Sequence, residues 1–255
     1  MEKLLINNLS LAFERHGKGI PLLLIHGFPL DHASWNPLLP QITSLFDVIL
    51  PDLPGFGSSD IPDEIHTIAE MAADLAVLLD ELNIQKTCLA GHSMGGYVAL
   101  AFAHAYPARV LGLGLIGSQA ASDTAERKAG RYSQAGQVAL RGPEEVVGMA
   151  EKLSADPVFE PFFREIILRQ RSAGLVNAIK AMAERPDAFG YLERFFFPVT
   201  LLHGQADSLV PVERSREMKK RIPAVELVEL PGVGHSPAVE APLETARILL
   251  NLSGR

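Results

Sequence analysis

The chain has 255 residues, 47% of them hydrophobic, which is enough apolar material for the core of one domain. Its formal net charge of −7 speaks against a nucleic-acid partner, because phosphate contacts require clustered Lys and Arg. No apolar stretch is long enough to span a membrane and the first residues do not resemble a signal peptide, so we expect a cytoplasmic protein without a membrane partner. The only cysteine, Cys88, lies in an apolar run, and we expect a buried, unreactive thiol.

Short apolar or alternating runs predict eight β-strands, near residues 3–7, 9–15, 21–26, 46–51, 86–91, 109–116, 197–203 and 224–230. Helical patterns occur between them, near residues 33–44, 67–82, 94–105, 212–221 and 241–251. Such alternation of strands and helices predicts an α/β fold with a mostly parallel sheet.

The segment Gly91-His92-Ser93-Met94-Gly95 fits the pattern G-x-S-x-G at the point where an apolar strand meets a helical pattern. Such a turn holds a serine in an unfavourable backbone conformation and tolerates only small neighbours, which Gly91 and Gly95 supply. The free N–H groups of the following helix point toward charge that develops near Ser93. Because glycines at such a turn can also serve close packing, Ser93 is a candidate nucleophile that needs catalytic partners elsewhere.

Two later positions supply these partners, each just after a predicted strand. Asp207 follows the strand at 197–203, and His235 follows the strand at 224–230 through a glycine-rich turn. The order Ser, Asp, His is that of a known hydrolase triad and differs from the orders in two large serine protease folds. In this arrangement His235 takes the hydroxyl proton of Ser93, and Asp207 orients the imidazole.

The oxyanion of such a reaction needs backbone donors. A continuous apolar run predicts a buried strand that ends at His26. The N–H of Phe28, in the loop that follows, and the N–H of Met94 are the candidate donors. For His26 we weigh two roles, a hydrogen bond to the loop backbone that holds the turn, which we favour, and a role in proton transfer.

At these motifs the chain resembles the α/β-hydrolase superfamily, from about residue 8 to residue 250. The motifs are His26-Gly27-Phe28-Pro29, Pro51-Asp52-Leu53-Pro54-Gly55-Phe56-Gly57-Ser58-Ser59-Asp60, Gly91-His92-Ser93-Met94-Gly95-Gly96, Gly204-Gln205-Ala206-Asp207 and Gly234-His235-Ser236-Pro237. The layout is similar to small cofactor-free carboxylesterases and to 3-oxoadipate enol-lactonases, whose first oxyanion donor follows an HG pair. The resemblance implies the α/β-hydrolase fold, with a mostly parallel eight-stranded sheet flanked by helices and a helical cap inserted after the sixth strand.

The cap would lie between Ser118 and Phe195, a segment in which no strand pattern occurs. Helical patterns fill this segment near 122–140, 143–153, 158–170 and 172–184. We therefore predict a core domain at 1–118 and 196–255, and a cap at 119–195. A cap shapes the acyl pocket, and the expected substrate-binding residues, several of which could equally pack the core, are His26, Trp35, Val138, Val146, Met149, Phe159, Phe162 and Phe163.

We expect neither a cofactor nor a metal ion. The run Gly112–Gly117 fits G-x-G-x-x-G but lies inside a predicted strand, which is the wrong context for a dinucleotide site. The scattered histidines lack metal-ligand spacing.

The predicted function is that of a carboxylesterase that cleaves esters of small to medium acyl groups through an acyl-enzyme on Ser93. An enol-lactonase, another lactone or carbon–carbon bond hydrolase, or a thioesterase would keep the same triad, and a perhydrolase side activity would too. A ligand-sensing receptor of the same fold, with slow turnover, is the alternative of another class. The expected partner is a small-molecule ester or lactone, and the sequence does not indicate the oligomeric state.

Overall fold

The computed structural model describes residues 1–253, so the last two residues of the predicted core segment 196–255 lie outside the described residues. Eight strands form one sheet, in the order β1-β2-β4-β3-β5-β6-β7-β8. The strands are β1 (Glu2–Ile6), β2 (Leu9–Gly17), β3 (Ile20–Ile25), β4 (Phe46–Pro51), β5 (Thr87–His92), β6 (Val110–Ile116), β7 (Val199–Gly204) and β8 (Glu226–Leu230). Strand β2 pairs antiparallel with β1 and β4, and the other pairs are parallel.

The mostly parallel eight-stranded sheet is therefore confirmed, and each predicted strand agrees with the structure to within two residues. The helices are α1 (Leu39–Ile42), α2 (Ile68–Glu81), α3 (Met94–Ala105), α4 (Ala125–Arg141), α5 (Glu160–Leu168), α6 (Ser172–Glu184), α7 (Phe189–Leu192), α8 (Glu213–Arg221), α9 (Pro237–Glu240) and α10 (Pro242–Asn251). Within the described residues, no helix combines the length and hydrophobicity of a membrane span.

The predicted helix at 33–44 is instead a 3-10 helix, His32–Leu38, followed by the single turn of α1. Pro37 lies inside the 3-10 helix and Pro40 lies in the first turn of α1. Because proline has no N–H, a continuous α-helix across this segment would lose backbone hydrogen bonds.

The apolar core has a layer on each face of the sheet. Strand β3 shows this alternation: Leu23 and Ile25 belong to the layer that holds α2 and α3, whereas Leu22 and Leu24 belong to the layer that holds α10. All four side chains are fully buried. Burial on both faces explains why the sequences of the central strands are continuous apolar runs.

Helices α4 to α7 lie between β6 and β7, in agreement with the helical patterns of segment 119–195. The predicted helix at 143–153 consists of two 3-10 turns, Gly142–Glu145 and Val147–Lys152. The sequence analysis did not predict α7, which is only four residues long. Helix α4 packs against α6, and buried residues of the inserted helices belong to the same apolar cluster as α2 and α3.

The burial of Cys88 in β5 gives a direct test of this core. The thiol is fully buried, and burial raises its pKa to about 12. We expect a disulfide reagent such as dithiobisnitrobenzoate to leave the native protein unlabelled at pH 8, because the thiolate is the reactive species. The same reagent in guanidinium chloride should label the single cysteine fully, and fast labelling of the native protein would contradict the packing described above.

Candidate active site

Ser93 occupies the turn between β5 and α3 in a strained backbone conformation. Its φ is 52° and its ψ is −115°, a region that residues other than glycine rarely adopt. The turn also requires Gly95, because a Cβ at that position would lie 2.2 Å from the carbonyl oxygen of Ile25 in β3. The G-x-S-x-G pattern therefore coincides with a strained turn whose backbone is packed directly against a neighbouring strand.

Backbone hydrogen bonds hold this turn in place. The amide of Ser93 donates to the carbonyl of Ile116 at 2.8 Å, and the Ser118 hydroxyl donates to the carbonyl of Ser93 at 2.8 Å. Both polar groups of the Ser93 backbone are therefore engaged by the end of β6 and the residues after it. Its side chain lies in the wall of a cavity that His235 also lines.

Asp207 and His235 are hydrogen-bonded to each other. The distance from Nδ1 of His235 to Oδ2 of Asp207 is 2.7 Å, and both side chains are buried. The amides of Leu209 and Val210 each donate to Oδ1 of Asp207 at 2.9 Å. Burial alone raises the pKa of Asp207, but hydrogen bonds from His203, His235 and the Val210 amide outweigh it, so the pKa lies below its usual value. The carboxylate is thus held ionised beside the imidazole.

A second buried histidine, His203, contacts the same carboxylate. Its Nε2 lies 3.1 Å from Oδ2 of Asp207 and 2.7 Å from the carbonyl oxygen of Val210. Because a carbonyl can only accept, Nε2 carries a proton, and Nδ1 can accept from the Ser215 hydroxyl at 2.7 Å. The sequence analysis did not assign His203 a role, although a histidine at the end of an apolar strand and four residues before the acid was a usable signal.

The loop that carries His235 is fixed by two further residues that the sequence analysis missed. Nε2 of His92 donates to the carbonyl of His235 at 2.9 Å. Glu240 accepts from the amide of Gly234 at 2.9 Å and, with the same oxygen, from the amide of Ala155 at 2.9 Å. The carboxylate of Glu240 thus joins the His235 loop to the inserted helical segment.

The Ser93 cavity has a volume of about 100 Å³, and residues from inside and outside segment 119–195 line it. It is lined by Phe28, Ser93, Tyr97, Arg127, Arg131, Met149, Met182, Leu209, Val210 and His235. Within residues 1–253 no hydrogen bond joins the Ser93 hydroxyl to His235. In enzymes without substrate such bonds are often long and tighten when the substrate binds.

Of the expected substrate-binding residues, the structure brings only Met149 into this cavity. Val138, Val146 and Phe163 are fully buried in the apolar core, so their side chains pack against protein and do not line the cavity. Phe159 and Phe162 are half-buried against the same core. An apolar helix pattern shows that a face is covered, but it does not show whether protein or substrate covers it.

Trp35 and His26 also lie outside the cavity lining. Trp35 packs in the other core layer, with its ring nearly perpendicular to that of His92. His26 is fully buried; its Nδ1 contacts the carbonyl of Gly27 at 3.0 Å, and its Nε2 accepts from the amide of Leu53 at 3.0 Å. Burial lowers the pKa of His26. These contacts are those of a residue that holds two loops together.

The candidate oxyanion donors flank Ser93. Met94 is the first residue of α3, so its N–H has no partner inside the helix. The loop with Phe28 lies close by, because a Cβ at Gly27 would be 3.1 Å from the Cβ of Ser93. Among the described residues, the N–H of Phe28 has no acceptor. The side chain of Phe28 lines the cavity, whereas Met94 is fully buried.

Three side chains, Asp31, His32 and Asp52, are grouped closely enough to be examined as a metal site. Arg169 donates to both oxygens of Asp31, at 2.6 and 2.8 Å. Asp52 accepts from Nδ1 of His32 at 2.6 Å and from the amide of Ser58 at 2.9 Å. Protein donors already occupy these carboxylates, so the cluster is better explained as an internal hydrogen-bond network than as a ligand set.

Comparisons with known proteins identify the family of the chain. A sequence profile of the alpha/beta hydrolase fold matches residues 20–242. An esterase from Thermogutta terrifontis, solved with malate bound, is 36% identical, with a TM-score of 0.92 over 98% of this chain and 96% of its own. The enol-lactonase from Burkholderia xenovorans LB400, with 20% identity, a TM-score of 0.90 and complete coverage of both chains, supports the fold alone.

A Pseudomonas putida protein, the dihydrolipoyllysine-residue acetyltransferase component of an acetoin cleaving system, is 32% identical over 240 residues. The match covers 90% of this chain, and the chain spans only 62% of the length of that protein. The chain belongs to the alpha/beta hydrolase family, and its fold and relatives support a hydrolase.

The burial of His92 predicts a pH dependence of stability. Burial, with a smaller contribution from His235, lowers the pKa of His92 to about 3, whereas an unfolded histidine titrates near about 6.5. The unfolded chain therefore binds a proton that the folded chain excludes, and stability is lost as the pH falls below about 6.5, by at most about 1.4 kcal/mol per pH unit for this residue.

Urea denaturation at pH 7 and at pH 5 measures this effect. We expect the His92→Asn variant, whose amide can still donate to the His235 carbonyl, to lose less stability between the two pH values than the wild type. A matched His104→Asn variant, changed at an exposed histidine, should keep the wild-type loss. Equal losses in wild type and His92→Asn would rule out this explanation.

Proposed function

We propose that the chain is a serine esterase that uses Ser93 as nucleophile, His235 as general base and acid, and Asp207 as the residue that orients His235. The observation that carries the proposal is the strained turn at Ser93, which opens on the same cavity as an imidazole bound at 2.7 Å to a buried carboxylate. A packing role for the glycine turn does not require a histidine–carboxylate pair at the same cavity.

In the first half of the reaction, the hydroxyl of Ser93 attacks the ester carbonyl while Nε2 of His235 takes its proton. Nδ1 of His235 must then keep its own proton, and the contact with Asp207 holds it there. The negative charge on the tetrahedral oxygen would be met by the N–H groups of Phe28 and Met94. Collapse of this intermediate expels the alcohol, which receives the proton from His235.

In the second half, His235 activates a water molecule that attacks the acyl group on Ser93. The same oxyanion donors serve again, and the acid product leaves with the serine restored. We assign segment 119–195 the role of a cap in this cycle. Met149 and Met182 from that segment help to line the cavity, so they would limit the size of the acyl group and exclude bulk water.

Removal of the nucleophile tests the central assignment. Ser93→Ala should lower kcat for p-nitrophenyl acetate by on the order of 10³-fold or more, because no acyl-enzyme can form. Rapid-quench mass spectrometry should find the acetyl group on the peptide that contains Ser93 in the wild type and not in the variant. Asp207→Asn should also lose most turnover, through the wrong tautomer of His235. Wild-type turnover by Ser93→Ala would refute the proposal.

A substrate series separates the esterase from its alternatives. The small cavity of about 100 Å³ favours short acyl groups. Steady-state hydrolysis of p-nitrophenyl esters from acetate to decanoate, run beside an enol-lactone and with Ser93→Ala as the blank, should therefore give its highest kcat/KM at short chains. Selective turnover of the lactone would favour an enol-lactonase, and a single burst without cycling would favour a ligand-sensing receptor.

A further inference from the structure

Two arginines of α4 lie in the wall of the cavity that holds Ser93 and His235. Arg127 and Arg131 are one helical turn apart, which places them on the same face of α4. The other lining residues are almost all apolar or aromatic. A guanidinium group is costly to bury in an apolar environment unless an anion accompanies it. The balance of charge around these two arginines therefore bears on what the cavity can bind.

Asp123, the acid that pairs with these arginines among residues 1–253, does not balance their charge. The side chain of Asp123 is 1% exposed, accepts from Arg185 at 2.9 Å and is hydrogen-bonded to Arg131. Nε of Arg127 lies 3.5 Å from the same carboxylate. Three guanidinium groups thus share one negative charge, and two positive charges remain uncompensated within this cluster.

No other acid of the neighbouring helices supplies the missing charge. Glu184 of α6 is paired with Lys128, at 2.5 Å, on the outer side of the same helices. Glu126 shares an outer groove with Arg127 and Arg131 but, within residues 1–253, forms no ion pair with either. The excess of positive charge is therefore a local property of the arginine cluster.

The two arginines stand between the cavity and solvent. Besides the cavity at Ser93, both line the outer groove that Glu126 also borders, and this groove is open to solvent. The side chain of Arg127 is 40% exposed and that of Arg131 is 14% exposed. Among the described residues, neither terminal nitrogen of Arg127 has a hydrogen-bond partner. A molecule that enters the cavity past Arg127 therefore meets positively charged nitrogens that are free to donate hydrogen bonds.

We infer that this pair forms a carboxylate-binding subsite, and that the substrate is an ester or lactone that carries a carboxylate in addition to the bond that is cleaved. This inference rests on the proposed function of Ser93. A planar guanidinium matches the two oxygens of a carboxylate. With a net charge of −7 the chain as a whole repels anions, so a local positive cluster at the mouth of the cavity is what an anionic substrate requires.

Matched pairs of esters test the inference. The first pair is mono-p-nitrophenyl adipate and its neutral methyl ester, both followed by release of p-nitrophenolate. The second pair is 4-acetoxybutanoate and its methyl ester, both followed by release of acetate, so that the carboxylate lies on the acyl side in one pair and on the alcohol side in the other. For at least one pair we expect kcat/KM to be higher for the anionic member, with a preference that falls as salt is added.

Three variants connect this preference to the subsite. Arg127→Gln should lower the ratio of anionic to neutral kcat/KM by about tenfold, and Arg127→Lys, which keeps the charge, should restore part of it. Arg141→Gln is the control, because Arg141 lies at the other end of α4 and, within residues 1–253, pairs with Glu145 alone, on the surface. Arg131→Gln is a weaker test because Arg131 also holds Asp123, so its loss can disturb the fold.

The outcomes separate the two proposals. Ser93-dependent turnover of neutral esters without preference for either anionic partner, or equal ratios in wild type and Arg127→Gln, would overturn the carboxylate subsite and leave the esterase in place. Absence of Ser93-dependent turnover would overturn the esterase. In that case, the subsite can still be tested by calorimetric titration with adipate. The dissociation constant of this dianion should be lower for the wild type than for Arg127→Gln.

Discussion

The close packing of α3 against the end of β3 is the constraint on which the site depends. At Gly95 the helix backbone is so near the carbonyl of Ile25 that no side chain fits between them. This contact fixes the first turn of α3 and therefore the strained residue before it, Ser93, whose φ of 52° would otherwise relax. The same approach brings the loop at Gly27 against Ser93. One packing contact thus positions both the candidate nucleophile and a candidate oxyanion donor.

The buried histidines around this turn divide into a set that holds loops and one that faces the cavity. His26 binds the backbone of two loops, His92 binds the carbonyl of His235, and His203 contacts Asp207 without lining the cavity. Only His235 lines the cavity. The imidazole that would transfer protons is therefore positioned by others whose nitrogens are used for structure, and burial keeps His26 and His92 from acquiring charge, as their lowered pKa values show.

The sequence predicted the sheet closely because the central strands are buried on both faces, so continuous apolar runs such as Leu22–Ile25 identify them without knowledge of their neighbours. It also placed Ser93, Asp207 and His235 at strand ends, which the parallel topology brings to one edge. It could not separate cavity residues from core residues in the insertion. Phe163 and Met149 both fit an apolar helical pattern, but Phe163 is buried by protein whereas Met149 lines the cavity. Asp123, just before α4, and Arg127 and Arg131 within it are spaced four residues apart, and the sequence analysis did not use this charge pattern.

The core and the insertion contribute different physical properties to the cavity. Strand ends and the turns after them supply the groups that would react, and the position of Ser93 depends on the backbone packing at Gly95. Helix α4 supplies the two guanidinium groups, and they depend only on side-chain identity at two positions of one helical face. In the proposed reaction, charge at the mouth of the cavity acts before the ester reaches Ser93, so it can select among substrates without altering the proposed chemistry at Ser93. Selectivity in this fold can therefore change through α4 while the strained turn and its packing remain fixed.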